Sequence, residues 1–145
     1  MKLKFDDKQL YQLDAISAVV DLFEGQPLAA GAFEFSLKNI DQLFSELGLG
    51  NRLAIAEDAL LANLQAVQKR NGIAVADQLD GSHFSVEMET GTGKTYVYLR
   101  TIYELNRRYG FKKFIIVVPS VAIREGVMAS LRLTREHFAT LYGPV

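Results

Sequence analysis

The sequence predicts an α/β fold, and three observations in residues 81–145 carry this prediction. The stretches "FSVEM" (84–88) and "FIIVVP" (114–119) are short apolar segments typical of strands. Between them, "GKTYVYLRTIYELNRRYG" (93–110) has helical spacing and a closing glycine, and "VAIREGVMASLR" (121–132) is also helical. Two strands joined by one helix form a right-handed parallel crossover, and a near-continuous apolar strand suits a sheet covered on both faces. We therefore expect a parallel sheet flanked by helices.

Composition indicates one compact domain. The chain has 145 residues, 49% of them hydrophobic and 23% charged, which excludes disordered and fibrous classes. The 16 basic and 17 acidic side chains nearly cancel, so net charge indicates no partner. The absence of cysteine excludes disulfides and thiolate metal sites and fits a cytoplasmic location. No export signal is visible, and no apolar run approaches the roughly 20 residues that cross a membrane.

The first half is predicted to be mainly helical. Apolar residues between Asp7 and Phe23 recur at three and four residue steps, which predicts a helix that stops near Glu24. In residues 28–50, "AFEFSL" alternates like a strand, whereas "NIDQLFSEL" has helical spacing, and both assignments stay open. Residues 52–70 predict a helix closed by Gly72, followed by a loop or weak strand. At the other end of the chain, "FATLYGPV" (138–145) is compatible with a third strand.

The stretch "METGTGKT" (88–95) has the residues of a phosphate-binding loop between a predicted strand and a predicted helix. Gly91 and Gly93 allow the backbone to curl around phosphates with positive φ, where side chains would obstruct the approach. Lys94 offers an ammonium to the β and γ phosphates, and the Thr95 hydroxyl can ligate Mg²⁺. The full loop pattern has glycine where this chain has Met88. The alternative interpretation is a glycine turn with a surface lysine.

Two further segments carry a resemblance to a known family. With "METGTGKT", "DDKQLYQLDAI" (6–16) and "IIVVPSVAIREGV" (115–127) in this order, the chain resembles the N-terminal end of the restriction (Res) subunit of type III restriction-modification enzymes. These belong to the DEAD/DEAH-like superfamily 2 helicases. The resemblance covers nearly the whole chain and is weakest from about 28 to 80, and methionine at the place of Met88 is usual in the family.

The resemblance implies a fold and a set of partners. The motor is a P-loop NTPase of two RecA-like domains with ATP and Mg²⁺ between them, acting on double-stranded DNA together with a modification (methyltransferase) subunit. Residues 1–145 would be the N-terminal part of the first such domain. Within it, 1–27 would be a helix like the glutamine motif of helicases, 28–80 a helical insertion, and 81–145 the strand-helix-strand-helix core.

Carried over residue by residue, the resemblance implies a nucleotide site. Lys94 and Thr95 would be the catalytic residues, with Thr95 also the Mg²⁺ ligand. Gln12 matches a glutamine that reads adenine, and its amide can both donate and accept. The alternative for Gln12 is a solvated helix residue, and Phe5 could either stack near the base or belong to the core. The residues predicted to contact the nucleotide are Gln12, Glu89, Thr90, Gly91, Thr92, Gly93, Lys94 and Thr95.

The segment "PSVAIREGV" resembles helicase motif Ia, which lies beside nucleic acid. Ser120 and Arg124 would then contact phosphates, and such contacts position a strand without reading its sequence. The alternatives are a helix cap for Ser120 and a surface ion pair for Arg124. The basic pairs at 107–108 and 112–113 favour a solvated face over DNA contact. His83 and His137 have no partner at metal-ligand spacing.

Hydrolysis also needs a carboxylate that holds Mg²⁺ through water and a residue that orients the attacking water. The sequence after the loop has no acidic pair at a strand end, so we interpret the chain as a piece of a longer protein with little activity alone. The alternative functions are a standalone nucleotide-binding module without DNA translocation and a small phosphotransferase.

Overall fold

The computed structural model describes residues 5–28 and 51–143, and in this part of the chain the regular structure is helical. Helix α1 spans Leu10–Val20 and continues into a 3₁₀ turn at Asp21–Phe23. Helix α2 spans Glu57–Arg70, α3 spans Lys94–Tyr109, and α4 spans Val121–Tyr142. No helix within these two ranges combines the length and apolarity needed to cross a membrane.

Helices α1 and α3 lie side by side and run in the same direction. Ile16 and Val20 of α1 pack against Val97 and Tyr109 of α3. At the far end of the pair, the Tyr109 hydroxyl donates a 3.0 Å hydrogen bond to the carbonyl of Val20. At the near end, α1 reaches the loop that opens α3. The parallel arrangement therefore places the first turns of both helices together.

Helix α2 packs against the end of α1. Its buried residues Leu60 and Val67 contact Leu22 in the 3₁₀ turn. The Asn63 amide donates to the carbonyls of Leu22 and Glu24 at 3.0 and 2.8 Å, which satisfies two acceptors at the end of the helix. The predicted helix over 52–70 is thus confirmed, with its start moved to Glu57.

Helix α4 covers the other side of α3. Phe138 is 1% exposed and packs with Tyr96 and Leu99, and burying a ring of this kind contributes about 2 kcal/mol. The helix is ten residues longer than the predicted 121–132, and the third strand suggested for 138–145 is wrong for 138–142, which are helical. The helix continues because Leu131, Thr134 and Phe138 recur at three and four residue steps and lie on one face of α4, which packs toward α3.

The predicted parallel sheet is not confirmed, because residues 5–28 and 51–143 contain no hydrogen-bonded strand. The segments at 84–88 and 114–119 lack ladder partners in this part of the chain, although their composition favours strands. Ile115 and Val117 are 92% and 87% exposed. A sequence pattern reports the preference of one segment, whereas a strand requires a second segment beside it.

The bounds of the other helices agree within a few residues with those predicted from the sequence. The helices predicted over Asp7–Phe23 and 93–110 are present as α1 with its 3₁₀ turn and as α3. The predictions for "AFEFSL" and "NIDQLFSEL" fall outside the described residues. Residues 51–55 return to the end of α1 through Gln26, whose amide oxygen accepts from the Ala54 and Ile55 N–H groups at 2.8 and 3.2 Å.

Candidate functional site

The glycine-rich loop joins the extended segment 84–88 to the first turn of α3. Gly91 and Gly93 have φ values of 83° and 86°, in the left-handed region that other residues rarely adopt. A Cβ placed on Gly91 would meet no atom within 4 Å, whereas one on Gly93 would lie 2.6 Å from Nε2 of Gln12. Gly91 is thus required by its backbone conformation, and Gly93 by conformation and by the approach of α1.

The loop leaves a row of backbone donors unpaired. In the described part of the chain, the N–H groups of residues 91–96 have no protein acceptor, and the first hydrogen bond of the helix is from the Val97 N–H to the Gly93 carbonyl at 3.0 Å. Helix α3 has 16 residues, so the positive end of its dipole lies at the same place. Free donors at a helix N-terminus form a favourable anion-binding site.

The Lys94 side chain folds back over the start of the loop. Its ammonium donates to the carbonyls of Met88 and Glu89 at 2.7 and 3.0 Å. The Thr92 hydroxyl also donates to the Glu89 carbonyl, at 2.6 Å. Lys94 is exposed, so its charge stays within reach of an anion on the loop. The Thr95 hydroxyl, in the first turn of α3, has no hydrogen-bond partner among the described residues.

Gln12 is buried against the loop. It is 8% exposed, and its Nε2 donates a 2.9 Å hydrogen bond to the Thr92 carbonyl. The alternative of a solvated helix residue is therefore wrong. Its Oε1 has no partner within residues 5–28 and 51–143, so it can still accept a hydrogen bond. The structure thus brings Gln12 together with Thr92 and Gly93 of the loop, as the nucleotide-site hypothesis requires.

Two open cavities flank the loop. One of about 840 Å³ lies between α1 and the end of α2, and Tyr11, Glu89 and Thr92 are among the residues that line it. The other, of about 470 Å³, lies between α1, α3 and the two extended segments, and it includes Lys94 and Tyr98 in its wall. The first has the volume and the lining typical of a small-molecule site.

Ser120 directly precedes α4 and Arg124 lies near its start. The Ser120 Oγ accepts from the Ile123 N–H at 3.3 Å, which is a helix cap. Arg124 forms an ion pair with Glu125 at 3.0 Å, and their side chains are 67% and 60% exposed. Neither makes a hydrogen bond or ion pair with the loop. The structure therefore shows the helix cap and the surface ion pair that the sequence left open as alternatives. Both side chains are exposed to solvent.

The basic pairs at 107–108 and 112–113 lie on an exposed face, as their pattern favoured. Arg107 pairs with Glu104 at 2.7 Å, and Arg108 lies 3.5 Å from Asp21. Asn51 accepts from the backbone N–H groups of Lys112 and Lys113 at 2.8 and 3.2 Å. Within the two described ranges, no three histidine, cysteine, aspartate or glutamate side chains come together as metal ligands.

A polar cluster that the sequence analysis missed lies where α3 meets α4. The Tyr96 hydroxyl and His137 Nε2 are 2.9 Å apart, and Phe5 packs on both rings at centroid distances of 6.1 and 5.2 Å. Phe5 is thus a packing residue here. Burial lowers the pKa of His137 below its usual value, with a further lowering from Arg100 opposed by Asp7.

The same cluster continues to the end of α4. The Tyr142 hydroxyl donates to Glu104 Oε1 at 2.7 Å and accepts from Arg100 Nε at 3.1 Å. Burial and the Glu104 carboxylate raise the pKa of Tyr142 to about 12. The signal that could have found this cluster is the four-residue spacing of Tyr96, Arg100 and Glu104 on one helical face.

Comparison with known proteins identifies the family. A family model described as "Type III restriction enzyme, res subunit" matches residues 9–140, which include α1, the glycine loop and most of α4. The chain belongs to the type III restriction enzyme Res subunit family. The expectation drawn from the three sequence segments is therefore confirmed.

Individual Res subunits are similar to this chain over part of its length. The EcoPI Res subunit of Escherichia phage P1 is 38% identical over 107 residues, covering 70% of this chain and 11% of that protein. The StyLTI Res subunit of Salmonella typhimurium is 49% identical over 65 residues, covering 43% of this chain and 7% of its own. The chain thus spans about a tenth of the length of the curated relatives that it matches.

Proposed function

We propose that this chain is the ATP-binding N-terminal portion of the DNA-dependent ATPase motor of a type III restriction enzyme Res subunit. The observation that carries the proposal is the row of unpaired N–H groups at residues 91–96, placed at the N-terminus of α3 behind two glycines with positive φ. Such a row binds the phosphates of a nucleotide without side-chain obstruction. The family membership supports the same assignment.

In this proposal each loop residue has a separate role. The backbone of residues 89–93 surrounds the phosphates, and Lys94 exchanges its hydrogen bonds to Met88 and Glu89 for phosphate oxygens. Thr95, whose hydroxyl has no partner in the described chain, is the ligand for Mg²⁺. Bound Mg²⁺ would neutralise charge on the phosphates. Gln12 reads the adenine through its free Oε1 while its Nε2 stays on Thr92.

In this proposal these residues bind ATP, and ATP hydrolysis requires further residues of a longer protein. Hydrolysis also needs a carboxylate that holds Mg²⁺ through water and a group that positions the attacking water, and a phosphate loop supplies neither. The same longer protein would contact double-stranded DNA through Ser120 and Arg124 and would work with a modification subunit in the cytoplasm. Both side chains are exposed, which supports a role in contacting phosphate.

The parallel sheet is part of the same proposal. The segments 84–88 and 114–118 flank α3 along the chain, and Val86, Met88, Phe114 and Ile116 line one cavity beside α1 and α3. Two apolar extended segments joined by a helix and facing one space favour a parallel crossover. In a longer protein, further strands would fill this space and cover Ile115 and Val117.

The experiment is calorimetric titration of the chain with ATP in the presence of Mg²⁺. We expect the Lys94→Ala variant to lose about tenfold or more in affinity, because a charge-assisted hydrogen bond to phosphate is removed. Lys113→Ala is the matched control, since Lys113 is also an exposed lysine and lies outside the loop. Equal affinities of Lys94→Ala and the unmodified chain would overturn the proposal.

A further inference from the structure

Three separate segments meet at Arg100 of α3. Its Nη1 donates to the backbone carbonyl of Asp7 at 2.7 Å, and its Nε donates to the Tyr142 hydroxyl at the end of α4 at 3.1 Å. A third, longer contact joins Nη1 to the Tyr96 hydroxyl at 3.4 Å. One guanidinium therefore connects the segment before α1 with α3 and α4.

The Asp7 contact fixes the chain directly ahead of Gln12. We call residues 5–9 the N-terminal strap, since they lie across the start of α3 before α1 begins at Leu10. The strap has two anchors on α3: the Phe5 ring on Tyr96, and the Asp7 carbonyl on Arg100. Only four residues lie between Asp7 and Gln12, so the second anchor restricts where the first turn of α1 can lie.

Arginine suits this position better than any other side chain. Its planar fork presents Nη1 and Nε as two separate donors fixed in direction, whereas all the donors of lysine are on one nitrogen. Burial alone would lower the pKa of Arg100, but the hydrogen bonds and partial charges of Tyr142 and Tyr96 outweigh it and raise that pKa. Tyr142 is itself held by Glu104, which is a buried residue.

We propose that Arg100 is a positioning residue for nucleotide recognition: it holds the N-terminal strap on α3 so that Gln12 remains against Thr92 and keeps its Oε1 directed to the base. The inference rests on the proposed function, because it assigns a part in the same site to a residue that does not touch the nucleotide. Loss of Arg100 releases the strap, and with it the adenine preference, while the phosphate-binding backbone of the loop remains.

The first test compares ATP and GTP affinities by calorimetry with Mg²⁺ for the unmodified chain, Arg100→Gln and Arg100→Lys. We expect both variants to lose about fivefold in the preference for ATP over GTP, the effect of one hydrogen bond. The double variant Arg100→Gln with Gln12→Ala should lose no more preference than Gln12→Ala alone. Arg132→Gln, an exposed arginine on α4, is the matched control and should leave the preference unchanged.

The second test needs no nucleotide. The side-chain amide resonances of Gln12, assigned by their absence from Gln12→Ala, should shift in Arg100→Gln and Arg100→Lys and stay in place in Arg132→Gln. Unmoved Gln12 resonances, or equal losses of ATP and GTP affinity with an unchanged ratio, would overturn the positioning role. Failure of the proposed function is a different result: the unmodified chain would show no Mg²⁺–ATP binding, whatever the Gln12 resonances do.

Discussion

The Gln12 side chain lies directly above Gly93, where a single added Cβ would come within 2.6 Å of its Nε2. The same Nε2 donates to the carbonyl of the neighbouring Thr92. The first turn of α1 and the glycine loop therefore form one packed unit, although they are 80 residues apart in the sequence. This contact makes the conformation of the loop depend on the position of α1, which leads to the first prediction.

Alanine substitutions at Gly91 and Gly93 should differ in cost. Each residue has positive φ, so either substitution should reduce the free energy of unfolding by about 1 kcal/mol through backbone strain. Gly93→Ala should cost more, because its Cβ also displaces Gln12. In a Gln12→Ala background the extra cost of Gly93→Ala should disappear, which urea unfolding of the single and double variants measures. Additive effects of Gly93→Ala and Gln12→Ala would contradict the contact.

The sequence predicted the helices and the loop because both depend on local spacing. Apolar periodicity and the closing glycine at 110 were enough to place α3, and the order of Gly91, Gly93 and Lys94 was enough to place the loop. The burial of Gln12 could not be derived from spacing, because it depends on how α1 packs against α3. Spacing places Arg100 on one face of α3 with Tyr96 and Glu104, but its contacts with Asp7 and Tyr142 could not be derived from spacing, since these residues lie 93 and 42 positions away.

The strand predictions show that a strong local preference is not sufficient to form a strand. "FIIVV" has strong strand preference, yet Ile115 and Val117 are exposed in the described chain. Strand formation depends on hydrogen bonds to another segment, and no property of residues 114–118 alone can supply it. The prediction of a strand at the end of the chain is wrong for 138–142 because Phe138 continues the apolar face of the earlier turns of α4.

Arg124 provides a test of the nucleic-acid contact. If it contacts a phosphate, Arg124→Ala should weaken binding of duplex DNA to a similar degree for different sequences and reduce the slope of log affinity against log salt by about one. Breaking its exposed ion pair with Glu125 should cost little stability. Filter binding or fluorescence anisotropy over a salt series measures the slope. Arg132→Ala on the same helix is the control, and the same slope for both variants would contradict the assignment.

Two tyrosines in α3 should respond differently to loss of the hydroxyl. The Tyr98 hydroxyl is buried and has no hydrogen-bond partner among the described residues, whereas the Tyr109 hydroxyl donates to the Val20 carbonyl. Tyr98→Phe should therefore leave the free energy of unfolding unchanged or raise it, and Tyr109→Phe should lower it by about 1 kcal/mol. Urea unfolding of the two variants provides the comparison. A larger loss for Tyr98→Phe than for Tyr109→Phe would show that its hydroxyl has a partner.

The junction between α3 and α4 should lose stability in mild acid because of His137. Burial lowers its pKa in the folded chain from the ordinary value of 6.5, so the unfolded chain binds a proton more readily. The contribution of neutral His137 to stability is complete above the unfolded pKa and is lost as pH falls from there through the lowered folded pKa.

Melting temperatures at about pH 7.5 and about pH 5.5 measure this effect, since few carboxylates titrate between these values. We expect the melting temperature to fall less on acidification for His137→Gln, whose amide can still form a hydrogen bond with the Tyr96 hydroxyl. His83→Gln is the matched control, because His83 is exposed and lies outside the junction. The imidazole of His137 is packed between Phe5, Tyr96 and Phe138. If the melting temperature of His137→Gln falls on acidification as much as that of the unmodified chain, a group other than this imidazole causes the loss of stability.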